Sequence, residues 1–381
     1  MAIEGLPPFI AAQLNFLLSR SPISIRMEQM WSGSKNDPYI DRFTLLIPFC
    51  LDYIKWTIIY NVQNPLTAPD MIFGPDDESF FPFLLSADGE GDASRKSPIN
   101  FLSNWDSRDP SRLLSLILQL RDLYSAYQRK RVGEVDDERV KFEISTILSR
   151  EGIEMSMSSG VEKTEEVKFA VPLLDMDINK LVPACPWRHP QKIYLQVIYP
   201  IGRKYSYAPS SPFLKLVSTP ELRSLFCVED VKLASWLDGM CMAEYLPSLE
   251  ETLQMQILEA VTLIGVRRQF IEALAPVFGR PLEADPMFCR KATVLVGNGS
   301  FTFLVHFIVP SQFPKQQPTL VLQSSQHFNS QGMPIRSHPL SDYPWSPRWE
   351  APQMAERIFD FLVDESLNFK KYCNEPHLQQ H

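Results

Sequence analysis

Glycine is scarce in this chain: 15 of 381 residues, against 32 prolines. Average usage is nearer ~7% Gly and ~5% Pro. The balance is reversed, and the prolines fall in short clusters between apolar runs, which makes the turns rigid rather than flexible. Histidine is scarcer still, at six, with no H-E-x-x-H or H-x-H spacing to hold a catalytic metal. Cys50, Cys185, Cys227, Cys241, Cys289 and Cys373 stand far apart with no C-x-x-C pair. That argues against a zinc knuckle or a disulfide scaffold and points to a reducing compartment. No metal or other cofactor is expected. Positive charge is in deficit, with Lys+Arg 37 against Asp+Glu 45 and a net charge of −8, which argues against direct nucleic-acid binding. The basic run Arg129-Lys130-Arg131 reads as a helix end complementing the helix dipole. No uncharged apolar run approaches the ~18 residues of a membrane span. The N-terminal stretch lacks a basic region and carries Glu4, so it reads as a first helix opened by Pro7 and Pro8 rather than a secretion leader.

What is present is globular: 45% hydrophobic and 22% charged residues, in a length that suits two to three domains. One architectural order recurs. Phe43, Leu45 and Ile47 alternate, as do Trp56, Ile58 and Tyr60, the period-2 signature of half-buried antiparallel strands. A turn framed by Pro65 and Pro69 follows, then the short strand Met71-Ile72-Phe73. After an irregular acidic stretch from Pro75 to Pro98 come Trp105 and a helix over Ser111–Tyr127, with Leu113, Ile117, Leu120, Tyr124 and Tyr127 on one face.

The order returns near the C-terminus. A strand spans Lys291–Gly297, and Phe301, Phe303, Val305, Phe307 and Val309 alternate through the next. A turn framed by Pro314 and Pro318 leads into Thr319–Leu322, and Trp349 precedes a helix bearing Met354, Ile358, Phe361 and Leu362. A weaker copy lies between: a strand Lys192–Tyr199, prolines 200, 209 and 212, a strand Phe213–Leu216, then Trp236 and a helical stretch Ser248–Phe278 interrupted at Gly265. The expected fold is α+β, with three tandem units over residues 1–133, 134–264 and 265–381. Gly133–Glu138 and a break at Gly265 are the expected joints.

This order resembles the ubiquitin-conjugating fold and its inactive UEV and RWD relatives. The motif that carries the likeness is Tyr-Pro-x-x-x-Pro or a near variant ahead of a strand: Tyr60–Pro65–Pro69, Tyr199-Pro200–Pro209 and Phe313-Pro314–Pro318. More specifically, FLVHFIVPSQFPKQQPTLVLQSSQHF with YPWSPRWEAPQMAER, and DRFTLLIPF with IKWTIIYNVQNP and FLSNWD, resemble the BRE family. That family comprises UEV-repeat scaffold subunits of the BRISC and BRCA-one-A deubiquitinase complexes. The likeness departs in the acidic insert Asp76–Asp92 and across much of the middle unit.

Active enzymes of the resembled fold need a cysteine some eight to ten residues ahead of the tryptophan and an asparagine to stabilise the oxyanion. No cysteine lies between Cys50 and Cys185, and none occurs at Ile335-Arg336-Ser337, although His327-Phe328-Asn329 and Gly332 resemble a worn oxyanion turn. Cys227 lies nine residues before Trp236, yet Phe213–Met240 contains neither asparagine nor histidine. Flanked by Leu225, Phe226 and Val228, and beside Glu229 and Asp230 rather than cations, Cys227 reads as a core residue.

Other clusters read as structural. Asp175 and Asp177 suit a solvated turn, His306 a satisfied strand position, and Gly297-Asn298-Gly299 a hairpin turn. Tyr343 and Trp345, among Pro344, Pro347 and Pro352, either pack their loop or line a groove for a proline-containing peptide, as UEV domains do. Trp349 is expected to pack the last helix onto its sheet.

The resemblance implies a non-catalytic scaffold in cytoplasm and nucleus. Its implied partners are a JAMM-type zinc deubiquitinase, an Abraxas-like scaffold and a von Willebrand A-like subunit, with polyubiquitin a further candidate. The implied setting is the DNA-damage response and cytoplasmic signalling. Two alternatives stand beside it: a free ubiquitin-binding UEV adaptor, and an active conjugating enzyme through Cys227.

Overall fold

The structure is a computed structural model that describes residues 6–33, 39–61, 63–64, 66–74, 77, 79–83, 102, 105–147, 149–160, 163–173, 177–201 and 211–374. Pro65, Pro75, Pro98, Asp175, Pro209 and most of the stretch Asp76–Asp92 lie outside the described residues. The chain divides into two compact units. Met1–Leu173, Ile193–Val217 and Leu233–Ser248 form the first, and Leu174–Lys192, Ser218–Lys232 and Leu249–His381 the second.

In the first unit, β1 (Arg26–Trp31), β2 (Arg42–Phe49), β3 (Asp52–Ile59) and β4 (Asp70–Ile72) pair antiparallel in chain order. The alternation read in the sequence faces one core. Phe43, Leu45, Ile47, Trp56 and Ile58 are fully buried and meet Ile10, Leu14 and Leu17 of the helix Pro8–Arg20 and Leu113, Ile117 and Leu120 of the helix Arg112–Gly133. Proline at the first helical position fits because its missing N–H has no intrahelical partner to lose. On the longer helix the buried position after Tyr124 is Gln128, while Tyr127 is only partly buried.

A second sheet of the same unit orders β5 (Glu154–Gly160), β6 (Lys163–Leu173), β7 (Ile193–Ile201) and β8 (Phe213–Ser218) in sequence. Its β5–β6 and β6–β7 pairs are antiparallel. Val167, Phe169, Val171 and Leu173 alternate inward on β6. Glu154, at the start of β5, accepts the Cys50 N–H at 2.6 Å and pairs with Arg121, whose Nε donates to the Pro48 carbonyl at 2.9 Å. Those bonds hold the β2–β3 turn, where Cys50 (φ 50°) and Leu51 (φ 65°) both adopt the left-handed conformation that non-glycine residues disfavour.

The 37-residue helix Met242–Phe278 has its first turns in the first unit and the rest in the second. It runs unbroken through Gly265, which corrects the expected interruption there. Glycine costs a helix only ~1 kcal/mol, and the buried positions Leu253, Ile257, Ile264, Phe270 and Leu274 outweigh that. The third sheet, in the second unit, orders β9 (Glu283–Ala284), β10 (Lys291–Asn298), β11 (Phe301–Ile308), β12 (Thr319–Phe328) and β13 (Pro334–Arg336) in chain order, all antiparallel. Gly299 (φ 60°) opens the two-residue turn between β10 and β11. Of the expected turn Gly297-Asn298-Gly299, Gly297 and Asn298 instead pair with Thr302 and Phe301 at the end of β10. Phe303, Val305 and Phe307 pack with Phe270, Leu320 and Leu322 and with Ile358 and Leu362 of the helix Ala351–Cys373. A capping box between Glu350 and Gln353 opens that helix.

Among the described residues, no helix is long and apolar enough to cross a membrane. Nor is any group of three His, Cys, Asp or Glu side chains placed to hold a metal ion.

Candidate functional site

The positions that a thiol chemist would inspect first are unpromising. Cys227 is not in the core. Between the inward-facing Leu225 and Val228, a short 3-10 turn at Val228–Asp230 leaves its side chain at the surface. The Cys227 thiol donates to Glu229 Oε2 at 3.0 Å, and Glu229 Oε1 is paired with Arg223 at 2.5 Å. That hydrogen bond to a carboxylate, with some burial behind it, raises the Cys227 pKa, the opposite of what a nucleophilic thiolate needs. Burial and the Glu154 charge push the Cys50 thiol up to about 12. Asn329 Oδ1 holds its own turn, accepting from the Gln331 and Met333 amides at 3.0 and 2.9 Å. His306 is satisfied in its sheet, between Thr293 Oγ1 at 3.0 Å and Gln323 Oε1 at 3.3 Å. Asp177 precedes a one-turn helix and pairs with Lys180 at 3.2 Å.

The aromatic and proline cluster of the second unit is built differently. The Tyr343 hydroxyl donates to the Pro318 carbonyl, and Trp345 Nε1 donates to the Pro314 carbonyl at 2.9 Å. These are the two prolines that frame the turn between β11 and β12. Tyr343 is buried, which raises its phenol pKa, and Trp345 packs on Phe270 and Phe313. Both side chains therefore pin the turn from beneath. The same turn borders a groove of about 590 Å³, walled by Val266 and Ala273 of the long helix, Phe313 and Pro314 of the turn, and Pro347 and Trp349, but not by Tyr343 or Trp345. Its polar lining comprises Gln269, Glu272 and Glu350, with no Lys or Arg.

Trp349 does more than hold the last helix to its core. It packs against that core, carries the Arg357 guanidinium 5.9 Å from its ring, and gives one wall of the groove. Val266 and Ala273 escaped sequence reasoning because nothing distinguishes them from core positions of a helix. The visible signal was the pair of turn prolines.

Three antiparallel sheets with flanking helices, and a proline-walled groove in the second unit, define an α+β protein. The sequence model of the BRE (brain and reproductive organ-expressed protein) family matches residues 8–328, and the chain belongs to that family. It is 29% identical over 344 residues to "BRISC and BRCA1-A complex member 2" of Danio rerio, covering 87% of this chain and 85% of the relative. To the protein of the same name from Branchiostoma floridae it is 27% identical over 392 residues, covering 97% and 96%.

Proposed function

We propose that this chain is a non-catalytic scaffold subunit of a JAMM-type deubiquitinase complex that cleaves polyubiquitin chains. The observation that carries the reading is membership of the BRE family, with relatives named as members of the BRISC and BRCA1-A complexes over nearly their whole length. In this reading the three sheets belong to UEV/RWD-like units over residues 1–133, 134–264 and 265–381, each kept for its surfaces. The partners are the zinc deubiquitinase, an Abraxas-like scaffold and a von Willebrand A-like subunit, and the setting is the DNA-damage response and signalling in nucleus and cytoplasm. The raised pKa of Cys227 supports a role without thioester chemistry.

The groove gives the scaffold a specific grip. Its apolar walls suit a proline-containing segment whose extended conformation costs little entropy to bind. Glu272 and Glu350 favour a segment that also carries a basic side chain. Affinity purification of the full chain followed by mass spectrometry tests the assembly: a JAMM metalloprotease should co-purify, and its absence removes the scaffold reading. A thioester assay with activating enzyme and ATP tests the chemistry. A reductant-sensitive ubiquitin adduct lost in Cys227→Ala would replace the scaffold with an enzyme.

A further inference from the structure

The helix Ala351–Cys373 meets its core with Ile358, Leu362 and Phe369 and leaves another face uncovered. On that face Phe359, Val363 and Leu367 recur every fourth residue and stay 37%, 47% and 51% exposed. Single apolar side chains at a surface are ordinary, but three in one line on a helix form a continuous strip. Phe278, at the end of the helix Met242–Phe278, packs on Phe359 with ring centroids 5.5 Å apart and fixes one end of the strip. Charges close both ends. Glu356 lies 363 − 356 = 7 residues before Val363 and Lys370 lies 370 − 363 = 7 residues after it, two turns either way and on the same face. Both are exposed, and among the described residues neither forms an ion pair; the pair within this helix joins Arg357 to Asp360 at 4.0 Å. A basic last turn suits the helix dipole, but the dipole does not require Lys370 to stand in line with the strip.

Outward from Val363, the face is symmetric in position and opposite in charge at its ends. Phe359 and Leu367 stand four residues either side, Glu356 and Lys370 seven. A surface of that kind is its own complement. Two copies related by a two-fold axis through Val363, with their helices near antiparallel, bring Phe359 of each towards Leu367 of the other. The same operation brings Glu356 of each towards Lys370 of the other and sets Val363 against itself. A parallel arrangement would put like charges together. One pair of helices covers less than the ~1,200 Å² of a stable specific interface, so the association belongs to the weak, reversible class.

We propose that the Glu356–Lys370 face of the last helix is a homotypic docking surface, its occupant the same face of a second copy of this chain, paired antiparallel. The groove and Cys227 play no part in it, and it needs no partner subunit, so it stands or falls apart from the scaffold reading. Sedimentation equilibrium of the full chain tests it. At about 50 mM salt, where surface charges are little screened, the unmutated chain should pass from monomer to dimer with a midpoint at about 10–100 μM. Glu356→Lys and Lys370→Glu should each raise that midpoint about tenfold or more, since each sets like charges face to face at both ends. An equimolar mixture of the two variants should return it to within about threefold of the parent, because each copy then supplies the charge that the other lacks. Val363→Glu, which brings two carboxylates together at the axis, should leave a monomer. All three positions are exposed, so the thermal midpoint of each monomer should match the parent's. A parent that stays monomeric up to about 500 μM overturns the proposal and leaves the strip to a partner of another kind. Dimerisation that the folded variants leave unchanged overturns it too, as does a mixture no tighter than either variant alone.

Discussion

At the scale of single residues, Glu143 is the most telling side chain. It is 3% exposed, accepting the Tyr199 hydroxyl at 2.8 Å and the Met242 amide at 2.9 Å, so it caps the start of the 37-residue helix. Burial raises its pKa, against the lowering effect of those two donors. A carboxyl with a raised folded pKa binds more protons in the native state than in the unfolded one. Its contribution to stability is therefore fully present below its ordinary value of 4.5 and is lost as pH rises through the raised value. Glu143→Gln should remove that pH-dependent component while keeping an acceptor for one donor. The difference in midpoint between variant and parent should shift in the variant's favour across that window, and a difference independent of pH would refute the assignment. Cys227 offers a second test at this scale. Removing the carboxylate that raises its pKa, as in Glu229→Ala, should speed its alkylation by iodoacetamide at pH 7.5 several-fold, as more thiolate is present. An unchanged rate in peptide mass spectra would show that Glu229 does not govern the thiol.

At the scale of elements, the turn framed by Pro314 and Pro318 lies where the sequence puts it, whereas Pro200 falls inside the strand Ile193–Ile201. The alternating strands were legible because period-2 hydrophobicity survives wherever one face is buried. Phe301 to Val309 fulfil it at every second position. β6 carried the same signal in Val167, Phe169 and Val171, but its charged neighbours and Pro172, a residue that usually marks edge strands, hid it. The helix Glu138–Ile147 was hidden by Glu143, a charge on its inward face between Val140 and Ile147. Gly265 misled in the other direction. Local propensity argued for a break, and tertiary burial on either side of it kept the helix whole. A Cβ at Gly265 would meet no atom within 4 Å. Gly265→Ala should therefore stabilise the protein by ~1 kcal/mol through helix propensity and a less free unfolded chain. Urea unfolding measures it; destabilisation would mean that the helix bends or is contacted there.

At the scale of the whole molecule, charge and groove act in the same sense. The chain carries a net charge of −8, and the groove's ionisable lining residues are Glu272 and Glu350. A cationic, proline-containing segment would thus be drawn in by the long-range field and then held by apolar contact with Pro314, Pro347 and Trp349. The Tyr343 and Trp345 pair, the aromatic feature most visible in the sequence, bears on this only through the turn that both side chains pin. Trp345→Ala should accordingly cost ~3–5 kcal/mol of stability, as removal of a packed aromatic does. It is a poor probe of binding for that reason. Glu272→Lys is the better probe, because the residue is exposed on the long helix and takes part in neither the capping box nor the core. A fluorescent peptide of the form Pro-x-x-Arg should bind the unmutated chain more weakly as salt rises from about 50 to 500 mM, where screening shortens to a few ångströms. In Glu272→Lys its affinity should fall about tenfold at low salt, and the salt dependence should flatten, with the unfolding midpoint unchanged. Binding that ignores both salt and the substitution would place the peptide elsewhere on the protein.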